Sequence, residues 1–273
     1  MKFISILTDK LKDARVMTGR TGRTPAPREV KLPEHYAHRG YHDKPHIPEN
    51  SMAAFRRAAE HGFPAEFDVH LIADGSLVVF HDESLERETG VRGEIEDYDL
   101  VNLSRLRLEG TDEHIPTLDE VLDLYEHTGL PLLIELKVAR GNYRELTEAV
   151  CKRLDSYTGE YVVESFDPRA LMVLRRIRPE VRRGQLAQNF IKTREGLPYY
   201  QAVLLTNLAF NKLVQPDFIA YRFTDRMVPA LRRSARKKGI AEVMWTIKTP
   251  EDYRTAVREG CVPVFEQFDP RNM

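Results

Sequence analysis

Three stretches of this chain set carboxylates, imidazoles and cations at positions where strands should lie. In residues 64–82, PAEFDVHLIADGSLVVFHD, Glu66 and Asp68 are two apart and so share one face of an extended segment. Asp74-Gly75 is a strong hairpin signal, because a type I′ turn needs positive φ at both central residues. With those two as the turn, Ala73 faces Ser76, His70 faces Val79 and Asp68 faces His81. Residues 35–39, HYAHR, end in His38-Arg39 and are followed by Gly40. Residues 130–137, LPLLIELK, end in Glu135-Leu136-Lys137, again with both charges on one face. Inward charges are costly unless paired or ligated. A surface hairpin, or an ion-pair network of Glu135, Lys137 and Arg39, would account for the parts separately. Three carboxylates converging with two cations and two imidazoles exceed what such a network needs.

The chemistry such a cluster supports is specific. Oxygen-only donors from Glu66, Asp68 and Glu135 suit a hard divalent ion, Mg²⁺ or Ca²⁺. With that ion and the cations Arg39 and Lys137, the site carries a single net positive charge, which suits a singly charged phosphodiester. His38 and His81 could serve as acid and base on the attacking and leaving oxygens. The metal and the two cations would stabilise charge on the phosphoryl oxygens.

These residues need a scaffold that brings strand ends together. Strands are expected at 35–39, 64–69, 130–137, 160–166, 183–187, 217–221, 242–247 and 261–266, with 77–81 as an antiparallel arm outside the count. Helices are expected at 52–61, ended by Gly62, and after the capping box Thr117-Leu118-Asp119-Glu120. Others are expected around 142–156, after Asp167-Pro168, before Gly239, and from Thr249-Pro250 to Gly260. Eight βα units argue for an α/β fold of the closed (β/α)8 TIM-barrel type, with the site at the C-terminal ends of the strands. An open doubly wound sheet would need a glycine-rich phosphate turn that the sequence lacks. Residues 84–114 are charged and irregular and read as a small insertion after the second strand and its hairpin, walling the pocket.

Composition bounds the rest. The chain has 273 residues, 42% hydrophobic and 30% charged, with net charge −1, so no global charge argues for nucleic acid. Cys151 and Cys261 make no disulfide framework and point to a reducing compartment. No apolar run reaches the ~20 residues of a membrane span, and Asp9 and Lys10 interrupt the opening apolar run, so a cytoplasmic location is expected. Residues 1–31 read as an N-terminal extension ahead of a barrel spanning 32–273. Phe3, Leu7 and Leu11 at helical spacing in residues 1–16 allow weak membrane-surface contact, against a short docked helix or a frayed end. Arg232-Arg233 and Arg236-Lys237-Lys238 read as a solvated helix face. His35 and His70 should have ordinary roles, and His42 and His46 belong to the loop after strand one. Asp82 either orients His81 or caps a turn, and Trp245 either packs on substrate or on the core. Self-association is left open.

HRG at 38–40, PENS at 48–51, EFDV at 66–69, DGSLVVFHDESLER at 74–87, IPTLDEVL at 115–122, IELK at 134–137, SF at 165–166 and WT at 245–246 resemble the glycerophosphodiester phosphodiesterase family. The resemblance covers about residues 34–270 and is densest in 34–137. It implies a metal-dependent barrel that hydrolyses glycerophosphodiesters to sn-glycerol 3-phosphate and an alcohol. It further implies His38 and His81 as the catalytic pair, Glu66, Asp68 and Glu135 as metal ligands, Arg39 and Lys137 on the phosphate, and Glu49 orienting Arg39. Two places depart from the family's pattern. Thr246-Ile247-Lys248 stands where members often have T-V-N, and Phe265–Pro270 stands where they have I-T-D-x-P. These fall at the pocket rim and bear on the leaving alcohol. A lysophospholipase-D-like activity and a non-catalytic barrel binding a phosphorylated ligand are the competing readings.

Overall fold

The computed structural model describes residues 32–273, apart from the side chains of 235–238. The expected N-terminal extension and its surface helix lie outside the described residues.

The first half of the fold builds the site. Strand β1 (Tyr36–Ala37) leads through a loop to helix α1 (Met52–Glu60), whose N-cap Ser51 accepts a hydrogen bond from the Ala54 amide. Strands β2 (Ala65–Leu71) and β3 (Leu77–Val79) form the hairpin. Short helices α2 (Glu86–Thr89) and α3 (Leu100–Leu103) follow, then α4 (Leu118–Tyr125), opened by the expected capping box of Thr117 and Glu120. Next come β4 (Leu132–Leu136), α5 (Tyr143–Leu154), β5 (Tyr161–Ser165) and α6 (Pro168–Ile177), the last with proline in its first turn.

The second half is β6 (Arg183–Ala187), α7 (Phe190–Thr193), α8 (Tyr199–Thr206), α9 (Asn211–Val214) and β7 (Phe218–Arg222). It ends with α10 (Pro229–Lys238), β8 (Ala241–Ile247), α11 (Pro250–Arg258) and β9 (Val262–Phe265). The three short helices between β6 and β7 have no counterpart in the sequence reading. Helices α7 and α9 have four residues each, and α8, as long as α4, is apolar without a one-sided period.

The sheet order is β1-β9-β8-β7-β6-β5-β4-β2-β3, and β1 also pairs with β2, which closes the barrel. Ala37 pairs with both Ala65 and Phe265 at that closure. All ladders are parallel except β2–β3, the arm outside the ring. Tyr36, Leu133, Val162, Leu186, Phe218, Ala220, Val243 and Val264 fill the interior. Gly184 makes room there: a Cβ on it would lie 2.1 Å from the Phe218 ring.

Two expectations need correction. The hairpin turn is not type I′. Ala73, Asp74 and Gly75 form a three-residue loop closed by Ile72 N donating to Ser76 O at 3.0 Å, and only Gly75 takes positive φ, +86°. Asp74 instead accepts from the amides of Ser76 and Leu100, both at 2.9 Å, which holds it in the ordinary turn conformation. The register therefore slips by one: Val69 pairs with Val79 and His70 with Val78. Second, residues 84–114 are not merely charged and irregular. Leu85, Ile95, Leu103 and Leu108 join Ile72, Val78, Phe80 and Ile115 in a satellite core that packs the insertion onto the hairpin.

Candidate active site

The parallel register does most of the assembly. Asp68 on β2 is level with Glu135 on β4, and Glu135 is level with Glu164 on β5. Glu66 lies one pleat below Asp68 on the same face. One oxygen each from Glu66, Asp68 and Glu135 falls within 4.8 Å of the others, and all three residues are buried. An acidic, oxygen-only, buried set of this kind fits a hard divalent cation. Lys137, at the end of the same strand as Glu135, puts its Nζ 3.1 Å from Glu135 and 3.4 Å from Asp68.

The charges are unevenly compensated. Burial pushes the Glu66 carboxyl well above its usual range, with repulsion from Asp68 and Glu135 adding to it. Glu135 is pushed up to about 7 by burial and Asp68, against the pull of Lys137. Burial acts on Asp68 in the same sense, but Lys137, His81, Arg39 and the Asn50 amide together hold it well below the carboxylate range. Burial and mutual repulsion thus favour the protonated forms of Glu66 and Glu135, while the surrounding cations favour ionised Asp68.

The end of β1 locks onto this centre through its backbone. Arg39, at φ +52°, donates its amide to Glu66 Oε2 at 3.0 Å. Gly40, at φ +76°, passes so close to α1 that a Cβ would sit 2.9 Å from Ala54. The Arg39 side chain donates Nη1 to Glu49 Oε1 at 2.5 Å and sets Nε 3.5 Å from Asp68. Asn50, also at positive φ, donates from Nδ2 to Asp68 Oδ2 at 2.9 Å. Glu49 receives Lys44 at 2.7 Å and Arg87 at 2.8 Å as well, while Lys44 reaches Glu88 and Glu109 of the insertion. The insertion therefore buttresses the site through ion pairs.

His81 reaches the centre by a different route from the one expected. Phe80, not His81, lies across from Asp68, donating its amide to Asp68 O at 3.0 Å, and its ring fills the satellite core. His81 follows just past the end of the ladder. There its Nδ1 donates to Asp82 Oδ1 at 2.5 Å, and Asp82 in turn takes Arg87 Nε at 2.5 Å. So Asp82 orients the ring. Burial and Lys137 lower the His81 pKa to about 4, against Asp68 and Asp82.

His38 lies between two carboxylates. Its Nδ1 donates to Glu266 Oε2 at 2.6 Å and its Nε2 stands 3.9 Å from Glu66 Oε2. Burial and Arg39 lower its pKa, against Glu266 and Asp68. His42 is buried with Nε2 3.5 Å from the same Glu266 oxygen, and Lys248 Nζ lies 2.8 Å from Glu266 Oε1.

Trp245 packs edge-on against Phe166, ring centroids 5.6 Å apart, beneath the Arg222 guanidinium, with its Nε1 buried and unpartnered. His35 hydrogen-bonds Tyr253 and His70 pairs with Glu96.

Several site residues carried no role in the sequence reading. Glu266 directly follows a barrel strand, where position alone should have flagged it. Glu164 repeats the signature that exposed Glu135, a carboxylate at an inward register position. Its carboxyl is pushed well above the usual range by burial and by Glu135 and Asp68.

A closed βα barrel with this arrangement of acids, imidazoles and cations at its C-terminal rim has the make-up of a phosphoric diester hydrolase. The pattern of the glycerophosphoryl diester phosphodiesterase family matches residues 38–268, and the chain belongs to that family. It is 29% identical over 233 residues to a glycerophosphodiester phosphodiesterase of Caldanaerobacter subterraneus, covering 82% of this chain and 89% of the relative. The crystal structure of a glycerophosphodiester phosphodiesterase from Thermotoga maritima superposes with a TM-score of 0.65 at 29% identity, covering 87% and 96% of the two chains. That of an Oleispira antarctica phosphodiesterase, solved with the product sn-glycerol-3-phosphate, reaches 0.71 at 24% identity over 86% and 93%, a likeness of fold. No helix among the described residues is long and apolar enough to cross a membrane.

Proposed function

We propose that this enzyme hydrolyses glycerophosphodiesters to sn-glycerol 3-phosphate and an alcohol, using His38 and His81 as its acid–base pair. The observation that carries the reading is the meeting of Glu66, Asp68 and Glu135 within 4.8 Å of one another beside two imidazoles. Each imidazole has Nδ1 tied to a carboxylate, which leaves Nε2 as its working nitrogen. Glu66, Asp68 and Glu135 would hold Mg²⁺ or Ca²⁺, which when bound polarises the phosphoryl oxygens. Arg39 and Lys137 hold the phosphate and offset charge developing on its oxygens. Glu49 fixes the direction of the Arg39 fork. One imidazole takes the proton of the attacking hydroxyl as its oxygen bonds to phosphorus. The other, doubly protonated, gives its Nε2 proton to the leaving oxygen as that oxygen's bond to phosphorus breaks. Trp245 packs against the glycerol.

The test is hydrolysis of glycerophosphocholine with Mg²⁺, with Ca²⁺ and with EDTA, by the parent enzyme and by His38→Ala and His81→Ala. EDTA should abolish turnover. Each variant should lose about 10²–10⁴-fold in kcat, the range of a general acid–base contribution, while its circular dichroism stays unchanged. Full activity in either variant refutes the assignment. A micellar lysophospholipid run beside the soluble diester separates this reading from the lysophospholipase-D-like one.

A further inference from the structure

The two places where this chain departs from the family's pattern come together in space, and they do so at His38. Lys248 follows β8 and Glu266 follows β9, and their side chains pair at 2.8 Å. The Glu266 backbone is pinned on the ladder, its amide donating to Ile247 O at 3.0 Å, while the His38 amide donates to Phe265 O at 2.8 Å. The carboxylate and the imidazole are thus carried by neighbouring strand ends and have little freedom relative to each other. Glu266 Oε2 receives His38 Nδ1 at 2.6 Å, with His42 Nε2 3.5 Å from that oxygen.

The geometry points to Glu266 as a positioning residue for His38, with Lys248 as its brace, so that His38 presents an unprotonated Nε2 to the reacting centre. An ionised carboxylate has only acceptors, so the nitrogen facing it must carry the proton. In a neutral ring that leaves the lone pair on Nε2, the nitrogen on the Glu66 side. Lys248 occupies Oε1, which keeps Oε2 aimed at His38. His42 walls off the remaining approach to that oxygen and is itself buried. Without Glu266, the His38 ring could take the other tautomer or turn over, and either change removes the acceptor. A lone pair on Nε2 suits His38 to the base role, with His81 taking a second proton before it acts as the acid, and this rests on the acid–base role proposed above.

The test compares the parent enzyme with Glu266→Gln, Glu266→Asp, Lys248→Ala and His38→Ala. The readouts are steady-state hydrolysis of glycerophosphocholine in Mg²⁺, calorimetric Mg²⁺ affinity, and ¹⁵N ring spectra of histidine-labelled metal-free protein. Glu266→Gln should lower kcat about 100-fold, within the range of an acid–base contribution, with KM and Mg²⁺ affinity essentially unchanged. The Nδ1–H signature of His38 should be present in the parent and lost in that variant. Glu266→Asp should recover part of the rate, and Lys248→Ala should cost less than Glu266→Gln. An inactive His38→Ala beside a fully active Glu266→Gln overturns the positioning role and leaves the acid–base reading standing. A fully active His38→Ala overturns both. Tight Zn²⁺ binding that vanishes in both His42→Ala and Glu266→Gln would make the cluster a metal site and overturn the inference. Should Glu266→Gln fail to fold, the ring spectra of Lys248→Ala and Glu266→Asp decide, because unaltered His38 tautomer and rate in both would count against it.

Discussion

Arg39 Nη1 and Glu49 Oε1 stand 2.5 Å apart, and that one carboxylate also takes Lys44 and Arg87. Glu49 is therefore the hub that aims Arg39 and ties the insertion to the barrel. Burial alone would raise its pKa, yet Arg39, Arg87 and Lys44 hold the carboxyl far below its usual range. Glu49→Ala leaves three cations around a vacated buried site. Breaking such a pair from one side typically costs about 3–5 kcal/mol. Because Lys44 and Arg87 are partly exposed, the loss expected in denaturant unfolding is at the lower end, about 3 kcal/mol. If Arg39 holds the phosphate as proposed, KM should rise more than kcat falls, since that cation loses its aim.

Metal binding should be coupled to proton release. Glu66 is raised well above its ordinary value and Glu135 to about 7, so the metal-free folded centre binds more protons than the unfolded chain between about pH 4.5 and 7. The sign is fixed: these carboxyls contribute stability at low pH, and that contribution is lost as pH rises through the folded pKa. A bound cation needs them ionised. Mg²⁺ affinity should therefore strengthen from pH 6 to pH 8, by about tenfold per pH unit for each proton displaced. Titration calorimetry in buffers of different ionisation enthalpy counts those protons. An affinity independent of pH over that interval contradicts the coupling.

Asp82 holds His81 by the same device that Glu266 applies to His38, but from the adjacent position in the chain. Asp82→Asn should lower kcat by about 10–100-fold, as loss of a residue that orients a functional histidine commonly does. It should leave Mg²⁺ affinity unchanged, because no oxygen of Asp82 belongs to the acidic triad. Measuring both quantities on one preparation separates orientation from ligation.

Gly40 joins fold to site. Alanine there would meet Ala54 at 2.9 Å and would have to adopt φ +76°. Overpacking of this kind costs about 1–3 kcal/mol, and relief requires moving Arg39 or α1. Gly40→Ala should lower both Tm and kcat/KM. Alanine at Gly75, with positive φ but open space around it, should lower Tm alone.

Local signals in the chain sufficed for much of this molecule. Short apolar runs bounded by turn and capping residues located all eight barrel strands, and the capping residues Ser51, Thr117, Asp167 and Thr249 start helices where expected. Glu66, Asp68 and Glu135 could be grouped from the sequence because Glu66 and Asp68 share one strand face and Glu135 lies at an inward position of a neighbouring barrel strand. The hairpin register was not legible. Asp74-Gly75 is compatible with both a two-residue and a three-residue turn, and the choice fell to hydrogen bonds from Ser76 and Leu100, the second far away in the chain. Of the helices between β6 and β7, two have four residues each and α8 is apolar without a one-sided period. Glu266 and His38 lie 228 positions apart, and no local pattern relates them. The chain's own alternation decided which faces point inward. Only closure of β9 against β1 decided that Glu266, Lys248 and His42 surround His38, because hydrogen-bonded ladders convert distant strand ends into neighbours.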